Sequence, residues 1–337
     1  MTTTGSDLVL QSPPFDSARL TTPKLMQEVT LATVPVLLAA VWFFGITALF
    51  IVAAACAGAM GAEWLFGQRT ATGRRGATLG DGTALLTGVL MGLTLPPTIP
   101  LWMAFVGGLV GIGIGKLVWG GLGGNIFNPA LVGRAFLQAA FPTALTTWRA
   151  SGGADTLFHV DKGAFAIPFA SSGVDAVTTA TALSRMKFDA EFLPWLDLLR
   201  GNVAGSLGET SAGILILCGI WMGVRRLYDW RVPVTILVTV AVLGQIFHFV
   251  SPEKYPDALF MLFSGGLLYG AVFMATDPAT SPTAPRGALI FGAGIGVLVV
   301  LIRLFGGLPE GVMYAILLMN ATTPLIERVT QPRIFGR

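Results

Sequence analysis

Long apolar runs, separated by short polar or glycine-rich stretches, make up most of the chain. Residues 29–66 are apolar almost without interruption, which is too long for one membrane span of about 20 residues. We interpret this run as two helices hinged near Gly45. Further apolar stretches predict eight more helices, at 81–97, 101–119, from Asn128 onward, and at 211–224, 232–250, 258–276, 286–305 and 311–326. The pattern therefore predicts an all-α polytopic membrane protein with about ten transmembrane helices.

The composition supports this class and argues against others. Of the 337 residues, 53% are hydrophobic and only 12% are charged, whereas soluble domains carry about 25% charged residues. The net charge of +3 comes without a basic stripe interleaved with aromatic residues, so we expect contact with membrane lipid and not with nucleic acid. Cys56 and Cys218 lie inside apolar runs, and His159 and His248 are far apart in sequence. We therefore expect no disulfide, iron–sulfur cluster or metal site within this chain.

The distribution of basic residues predicts which side of the membrane each loop faces. Short loops on one side hold only Lys254 and Arg303. Loops on the side of the N-terminus hold thirteen basic residues: Arg19, Lys24, Arg69, Arg74, Arg75, Lys116, Arg225, Arg226, Arg231, Arg286, Arg328, Arg333 and Arg337. Cytoplasmic loops carry an excess of Lys and Arg, so we expect both termini in the cytoplasm. The long polar interval at 146–209 then lies outside the cytoplasm.

Two similar segments indicate an internal repeat. Thr83–Pro97 (TALLTGVLMGLTLPP) and Ser264–Pro278 (SGGLLYGAVFMATDP) each end at a proline, and each is followed by an apolar span and a Gly-Gly-Leu sequence. Five helices per half is an odd number, so the second half should be inverted relative to the first, which places polar sites near the midplane. The predicted organisation is a cytoplasmic tail at 1–28, a first repeat at 29–145, an extracytoplasmic loop at 146–209, a second repeat at 210–327 and a cytoplasmic tail at 328–337.

Three polar side chains fall at the start of helical stretches in apolar surroundings. Asn125 and Asn128 precede the fifth helix, with Pro129 at its first position, and Asp277-Pro278 has the same pattern in the second half. One interpretation is helix capping. The other is that their amide and carboxylate groups converge on a polar ligand, because unsatisfied polar groups are costly at membrane depth.

Charged residues in or near the apolar runs can likewise be interpreted as structural or as functional. Arg134 lies about one turn into the fifth helix, and an intramembrane charge is either functional or paired with a helix end. Lys116 is interpreted as a residue at the end of a span whose ammonium group reaches the interface. Ser206 and Glu209 have the spacing of a capping box ahead of the sixth helix.

The segment Asp175–Leu183 (DAVTTATAL) is a row of short hydroxyl side chains after one carboxylate, within the long polar interval. By composition it is a threonine-rich turn with an Asx-type cap. It also resembles the signature Asp-x-x-Ser/Thr-x-Ala-Thr, at which a flavin transferase joins FMN through its phosphate to the final threonine, here Thr181. The segment has Thr179 where glycine is common and Ala182 where proline is common, and neither difference removes the hydroxyl.

Several motifs in the same order resemble one family of membrane proteins. They are Leu93–Pro100 (LTLPPTIP), Gly120–Gly133 (GGLGGNIFNPALVG), the segment ending in Thr181, and Met274–Pro278 (MATDP). The chain resembles the family that contains the RnfD component of the Rnf complex and the NqrB component of the sodium-pumping NADH:quinone reductase, and its short N-terminal tail favours the Rnf branch. The resemblance implies an inverted-repeat fold similar to that of urea transporters. It implies FMN bound covalently to Thr181 and a non-covalent riboflavin in contact with Asn125 and Asn128, and Asp277 is a further candidate cofactor contact.

The resemblance also implies a function. It is that of a multi-pass electron-carrying subunit in a bacterial inner membrane, within an ion-translocating ferredoxin (or flavodoxin):NAD oxidoreductase coupled to Na⁺ or H⁺ transport. The implied partners are Rnf subunits A, B, C, E and G, the flavin transferase, and ferredoxin or flavodoxin and NAD through the complex. The alternative from another class is a small-solute channel or transporter of the same fold without flavin.

Overall fold

A computed structural model describes residues 21–67, 78–152, 157–158, 162–168 and 179–331. The described residues form helices and connecting turns, and no strand occurs among them. The α-helices are α1 Thr22–Phe44, α2 Thr47–Phe66, α3 Thr83–Leu93, α4 Leu101–Gly115, α5 Pro129–Ala140, α6 Pro142–Thr146, α7 Ala182–Ser184, α8 Trp195–Arg200, α9 Ala212–Val224, α10 Arg231–Val250, α11 Ala258–Phe263, α12 Leu267–Tyr269, α13 Pro285–Phe305 and α14 Val312–Thr330. The described residues exclude most of the N-terminal tail, the basic loop with Arg69, Arg74 and Arg75, His159, residues 175–178 of the flavin-type signature, and Arg333 and Arg337.

Among the described residues, five helical segments are long and apolar enough to cross a membrane. They are α1, α2, α4 with the turn that follows it to Trp119, α10 and α13. Their outward faces carry large apolar side chains, such as Leu38, which is 64% exposed, and Phe249, which is 76% exposed. A soluble protein rarely exposes so much contiguous apolar surface, whereas lipid-facing helices require it. The expected class, an all-α multi-pass membrane protein, is confirmed.

The helix boundaries agree with the expected break in the first apolar run. Helix α1 ends at Phe44, and Gly45 adopts φ 85° before α2 begins at Thr47. A left-handed backbone of this kind is cheap only for glycine. The predicted hinge near Gly45 is therefore confirmed.

Two of the predicted spans are shorter or more broken than expected. Helix α3 has only 11 residues and is followed by an irregular stretch to Pro100. The stretch 258–276 is divided into α11, α12 and a π-helical turn at Gly270–Met274, with Gly265 at φ 62° in the break. Broken helices of this kind occur in membrane proteins where the freed backbone groups find partners inside the protein.

Backbone carbonyls at the end of α3 accept hydrogen bonds from the segment before α9 and from the broken helix of the second half. The Leu207 and Gly208 N–H groups donate to the Leu95 and Leu93 carbonyls at 3.1 and 2.7 Å. The Tyr269 hydroxyl donates to the Leu90 carbonyl at 3.1 Å. These bonds tie the start of the second half to the end of α3.

The two halves share one order of helix packing. In the first half α2 packs most closely against α4 and α3, and α4 packs against α5. In the second half α10 packs against α13 and α11, and α13 packs against α14. Glycines allow these close approaches: a Cβ on Gly58 of α2 would collide with the Phe105 carbonyl of α4, and one on Gly292 of α13 would stand 2.9 Å from the Val232 carbonyl of α10.

Replacing Gly58 by alanine tests the α2–α4 contact. The added methyl group would force the two helix backbones apart, and overpacking of this kind costs roughly 1–3 kcal/mol. We expect Gly58→Ala to lower the melting temperature of the detergent-solubilised protein. Gly61→Ala on the same helix is the matched control, because a Cβ there meets nothing within 4 Å. Equal melting temperatures for the two variants would contradict the close contact.

Candidate functional site: a cavity with a charged wall

One cavity lined by described residues has a volume of about 580 Å³. Its wall is formed by α5, the segment around α7, the stretch before α9, the broken helix at 264–274 and the start of α14. This volume falls within the range of about 300–1,000 Å³ that small-molecule sites occupy. Most of the wall is apolar, and its polar side chains include Thr181, Arg134, Glu209, Tyr269, Glu310 and Tyr314.

Thr181 lies at the wall of this cavity, where it begins a short helical turn. Its Oγ1 accepts the N–H of Ser184 at 3.2 Å and lies 2.9 Å from the Ser184 hydroxyl. The following residues, Ala182 and Leu183, are buried against Met186 and hold the turn in place. Thr181 thus caps a short turn and remains half-buried beside the cavity, whereas Asp175, the carboxylate of the expected Asx-type cap, lies outside the described residues.

A buried group of two arginines and two glutamates forms the charged part of the wall. Arg134 Nη1 lies 3.2 Å from Glu209 Oε1, and its Nη2 lies 3.9 Å from Glu310 Oε2. Arg303 Nη2 lies 4.0 Å from Glu310 Oε1. Arg134 is therefore paired with carboxylates and not with a helix end. Four formal charges cancel within this group.

For two of these residues, Arg303 and Glu209, the interpretation drawn from the sequence is wrong. Arg303 does not lie in a short exposed loop but in the last turn of α13, where it is fully buried and donates to the Met261 and Ser264 carbonyls. Glu209 does not complete a capping box with Ser206, because Ser211 is the N-cap of α9. Glu310 is not singled out by the sequence at all.

Lys187 connects the Thr181 segment to the same region. Its Nζ donates to the carbonyls of Ile302, Arg303 and Leu308 at 3.3, 3.2 and 2.8 Å. A cation at the C-terminal end of a helix is favourable because the last carbonyls have no partner within the helix. Partial burial lowers the pKa of this ammonium group below its ordinary value.

The other predicted site residues meet at a second, smaller cavity of about 60 Å³. Asn125, Asn128 and Asp277 line it together with Lys116 and Tyr228. The structure therefore brings the three sequence-predicted polar residues together, at a place separate from Thr181.

The polar groups of these three residues are used by the protein itself. Asn128 Oδ1 accepts the Ala130 N–H at 2.9 Å, and its Nδ2 donates to the Met274 carbonyl at 3.1 Å. Asp277 Oδ1 accepts the Ala279 N–H at 3.2 Å. The capping interpretation is confirmed for Asn128, and Asp277 closes a turn in the same way.

Asn125 is satisfied by its own loop. Its Oδ1 accepts the Gly123 N–H at 3.2 Å, and its Nδ2 donates to the Phe127 carbonyl at 3.3 Å. The side chain is almost fully buried, so these bonds set the shape of the glycine-rich turn ahead of α5.

Lys116 departs most clearly from the sequence interpretation. It is buried, and its Nζ lies 2.6 Å from Glu63 Oε1, 2.5 Å from Thr83 Oγ1 and 3.7 Å from Asp81 Oδ2. The ammonium group therefore does not reach the interface. Sequence reasoning missed Glu63, although it is the one charged residue in the apolar run 29–66, which is a usable signal in a sequence.

Comparison with known proteins gives this helical, multi-pass membrane protein a family. The model of the NQR2, RnfD, RnfE family matches residues 9–336. The chain is 40% identical over 341 residues to the D component of the ion-translocating oxidoreductase complex of Stutzerimonas stutzeri, covering 95% of this chain and 93% of that one. It is 39% identical over 323 residues to the D component of the proton-translocating ferredoxin:NAD(+) oxidoreductase complex of Clostridium ljungdahlii, covering 93% and 91%.

The chain belongs to the NQR2, RnfD, RnfE family. A third relative, the D component of the ion-translocating oxidoreductase complex of Halorhodospira halophila, is 38% identical over 350 residues, with 96% of this chain and 94% of that one covered. The resemblance drawn from the sequence motifs is confirmed.

Removing Lys116 tests how far the buried ion pair holds the first half together. In Lys116→Met the Glu63 carboxylate would lose its cation inside the protein, and breaking a buried pair in this way costs about 3–5 kcal/mol. We expect a large fall in melting temperature, partly reversed in the double variant Glu63→Gln, Lys116→Met. The control is Arg225→Gln, which removes a pair with Glu28 in which Arg225 is half-exposed, and which should change stability by about 1 kcal/mol or less. A Lys116→Met variant as stable as this control would contradict the assignment.

Proposed function

We propose that this chain is the membrane flavoprotein subunit of an ion-translocating ferredoxin (or flavodoxin):NAD oxidoreductase complex. In this proposal it carries electrons through FMN bound covalently to Thr181. The observation that carries it is the position of Thr181 at the wall of the 580 Å³ cavity, which Arg134, Glu209 and Glu310 also line. The names of the relatives, which are components of ion-translocating oxidoreductase complexes, support the same function.

The residues around the cavity fit a phosphate-linked flavin. The Thr181 hydroxyl is half-buried and engaged only by Ser184 among the described residues, so it is available for a phosphoester. The apolar part of the wall, with Trp148 and Phe188, suits the faces of a flat aromatic ring. Flavin supplies one- and two-electron transfer when bound. Arg134 would hold positive charge beside the ring, which favours the addition of electrons.

The proposed setting is a bacterial inner membrane, with both termini in the cytoplasm and the Thr181 loop outside it. We propose ten transmembrane segments in two inverted repeats of five helices, as in urea transporters. The shared packing order of the two halves supports a repeat. The proposed partners are Rnf subunits A, B, C, E and G, the flavin transferase that modifies Thr181, and ferredoxin or flavodoxin and NAD through the complex.

The second flavin that the family resemblance implies does not fit the smaller cavity in this conformation. A volume of about 60 Å³ is far below that of a typical ligand pocket, and the polar groups of Asn125, Asn128 and Asp277 already have partners in the protein. Riboflavin at these residues stays a prediction.

Covalent flavin attachment is tested by in-gel fluorescence after denaturation. We expect a fluorescent band from cells that contain the flavin transferase, and no band for Thr181→Ala. Thr179→Ala is the matched control, since Thr179 lies two residues away and its hydroxyl interacts only weakly, at 3.4 Å, with the Trp148 carbonyl. A dark wild-type band would favour a solute channel without flavin, and a fluorescent Thr181→Ala band would move the attachment site elsewhere.

The sidedness of the loop is tested by labelling single cysteines in a background that lacks Cys56 and Cys218. Ala150 and Arg226 are both exposed and lie on opposite sides in the proposed topology. We expect a membrane-impermeant maleimide to label Ala150→Cys in intact cells and Arg226→Cys only after permeabilisation. The reverse pattern would place Thr181 in the cytoplasm and contradict the proposed topology.

A further inference from the structure

We propose that Glu209 and Glu310 form a shared proton-binding site in the wall of the cavity. In this proposal one of the two carboxylates takes up a proton when negative charge enters the cavity. The source of that charge rests on the proposed function, because the reduced flavin would supply it. The site itself rests on the protein's own residues.

The two carboxylates converge on one point of the broken helix. A Cβ on Gly266 would stand 2.5 Å from Glu209 Oε1 and 2.9 Å from Glu310 Oε1, so both oxygens reach the same small space. The Gly266 N–H also donates to Glu310 Oε1. Two carboxylates that share a site disfavour each other's ionised form, and a proton between them relieves the repulsion.

The cations around Glu209 and Glu310 stabilise the ionised form of the two carboxylates only in part. Arg134 serves both carboxylates, at 3.2 Å from Glu209 and 3.9 Å from Glu310. Arg303 is the second cation, but it donates to the Met261 and Ser264 carbonyls and stands 4.0 Å from Glu310. Among the described residues, Arg134 is therefore the one cation that forms ion pairs with both acids.

The other groups near Glu209 and Glu310 do not replace these two carboxylates as the acceptor of the proton. Lys187 is held by the carbonyls at the end of α13. Tyr269 and Tyr314 line the same cavity, and the Tyr269 hydroxyl already donates to the Leu90 carbonyl. Arginine stays protonated in proteins, so a proton that enters this group must bind Glu209 or Glu310.

Negative charge in the cavity would weaken the ion pairs that Arg134 forms with Glu209 and Glu310. A new anion near its guanidinium competes with the two carboxylates for the same cation, and the carboxylate that loses contact gains affinity for a proton. The proton enters from the aqueous phase through the cavity and binds a carboxylate oxygen, so the net charge of the four-residue group rises from zero to plus one. No oxidation or reduction of the protein is involved.

The surroundings can accommodate a neutral carboxyl group. Glu310 is the more accessible acid, with a side chain 21% exposed against 4% for Glu209, so protons reach it first from the cavity. Ser206 lies three residues before Glu209 and Ser264 two residues before Gly266, and the hydroxyls of both are buried and have no hydrogen-bond partner in the described part of the chain. They offer an acceptor and a donor to a protonated neighbour. The Glu63 site differs, because Lys116 already supplies a close cation there.

The proton site is tested by infrared spectroscopy of the purified full-length Thr181→Ala protein, titrated with acid. We expect a protonated-carboxyl C=O band that rises as pH falls and is lost or strongly reduced in Glu209→Gln and in Glu310→Gln. The matched control is Glu327→Gln on α14, whose carboxylate accepts bonds from Thr283 near the surface and should leave the band unchanged. A band that persists in both cavity variants, or that responds to Na⁺ and not to pH, would overturn the proposal.

Two further measurements keep the result interpretable. If a glutamine variant is not monodisperse, Glu310→Asp keeps the carboxyl group and must shift the midpoint of the band, and an unshifted midpoint counts against the site. In the flavin-loaded wild-type protein, chemical reduction should take up more protons from a weakly buffered solution than in Glu310→Gln, and equal uptake would overturn the coupling. Because the infrared titration uses a protein without the Thr181 hydroxyl, its failure is distinct from the absence of a fluorescent flavin band.

Discussion

Every polar group inside a membrane protein must find its partner within the protein, and this constraint decides the centre of the molecule. Helix α3 and the stretch 258–276 are too short or too broken to satisfy their own backbone groups. Their partners come from across the two halves: Leu207 and Gly208 bind carbonyls at the end of α3, and Asn128 binds the Met274 carbonyl. An unpaired buried group costs several kcal/mol in lipid, so these cross-connections hold the halves together.

The same constraint explains the buried charges, which occur at related places in the two halves. Lys116 follows α4 and Arg303 lies in the last turn of α13, each shortly before a Gly-Gly-Leu sequence. Lys116 is neutralised by Glu63 at 2.6 Å, with Thr83 as a further acceptor. Arg303 is satisfied mostly by carbonyls, which leaves Glu310 free to share Arg134 with Glu209. The first half therefore contains a close ion pair, whereas the group around Arg134 joins residues from different parts of the chain beside a cavity.

Features with local signals could be predicted from the sequence, whereas features that depend on tertiary pairing could not. The break at Gly45 requires a left-handed backbone, and the start of α5 follows from the capping side chain of Asn128 and the proline after it. The short α3 is not predictable from hydropathy, because it depends on backbone partners in the other half. The local sequence pattern identifies Thr181, but it does not predict that Thr181 lies at the wall of a cavity. A single sequence likewise shows that Lys116 and Arg134 are charges in apolar surroundings, but not that their carboxylate partners lie 35 to 176 positions away.

The Glu63–Lys116 pair and the Arg134 group differ in how they can respond to a new charge nearby. Glu63 and Lys116 pair at 2.6 Å, and their side chains are 0% and 3% exposed, so a change of charge elsewhere has little to act on. The Arg134 group is different, because one cation is divided between two acids at unequal distances and the group borders open volume. A new charge in that volume changes which acid Arg134 holds without moving a helix. A response of this kind needs only a shift of hydrogen bonds within the wall, and the glycine at position 266 leaves the two carboxylates the space to make it.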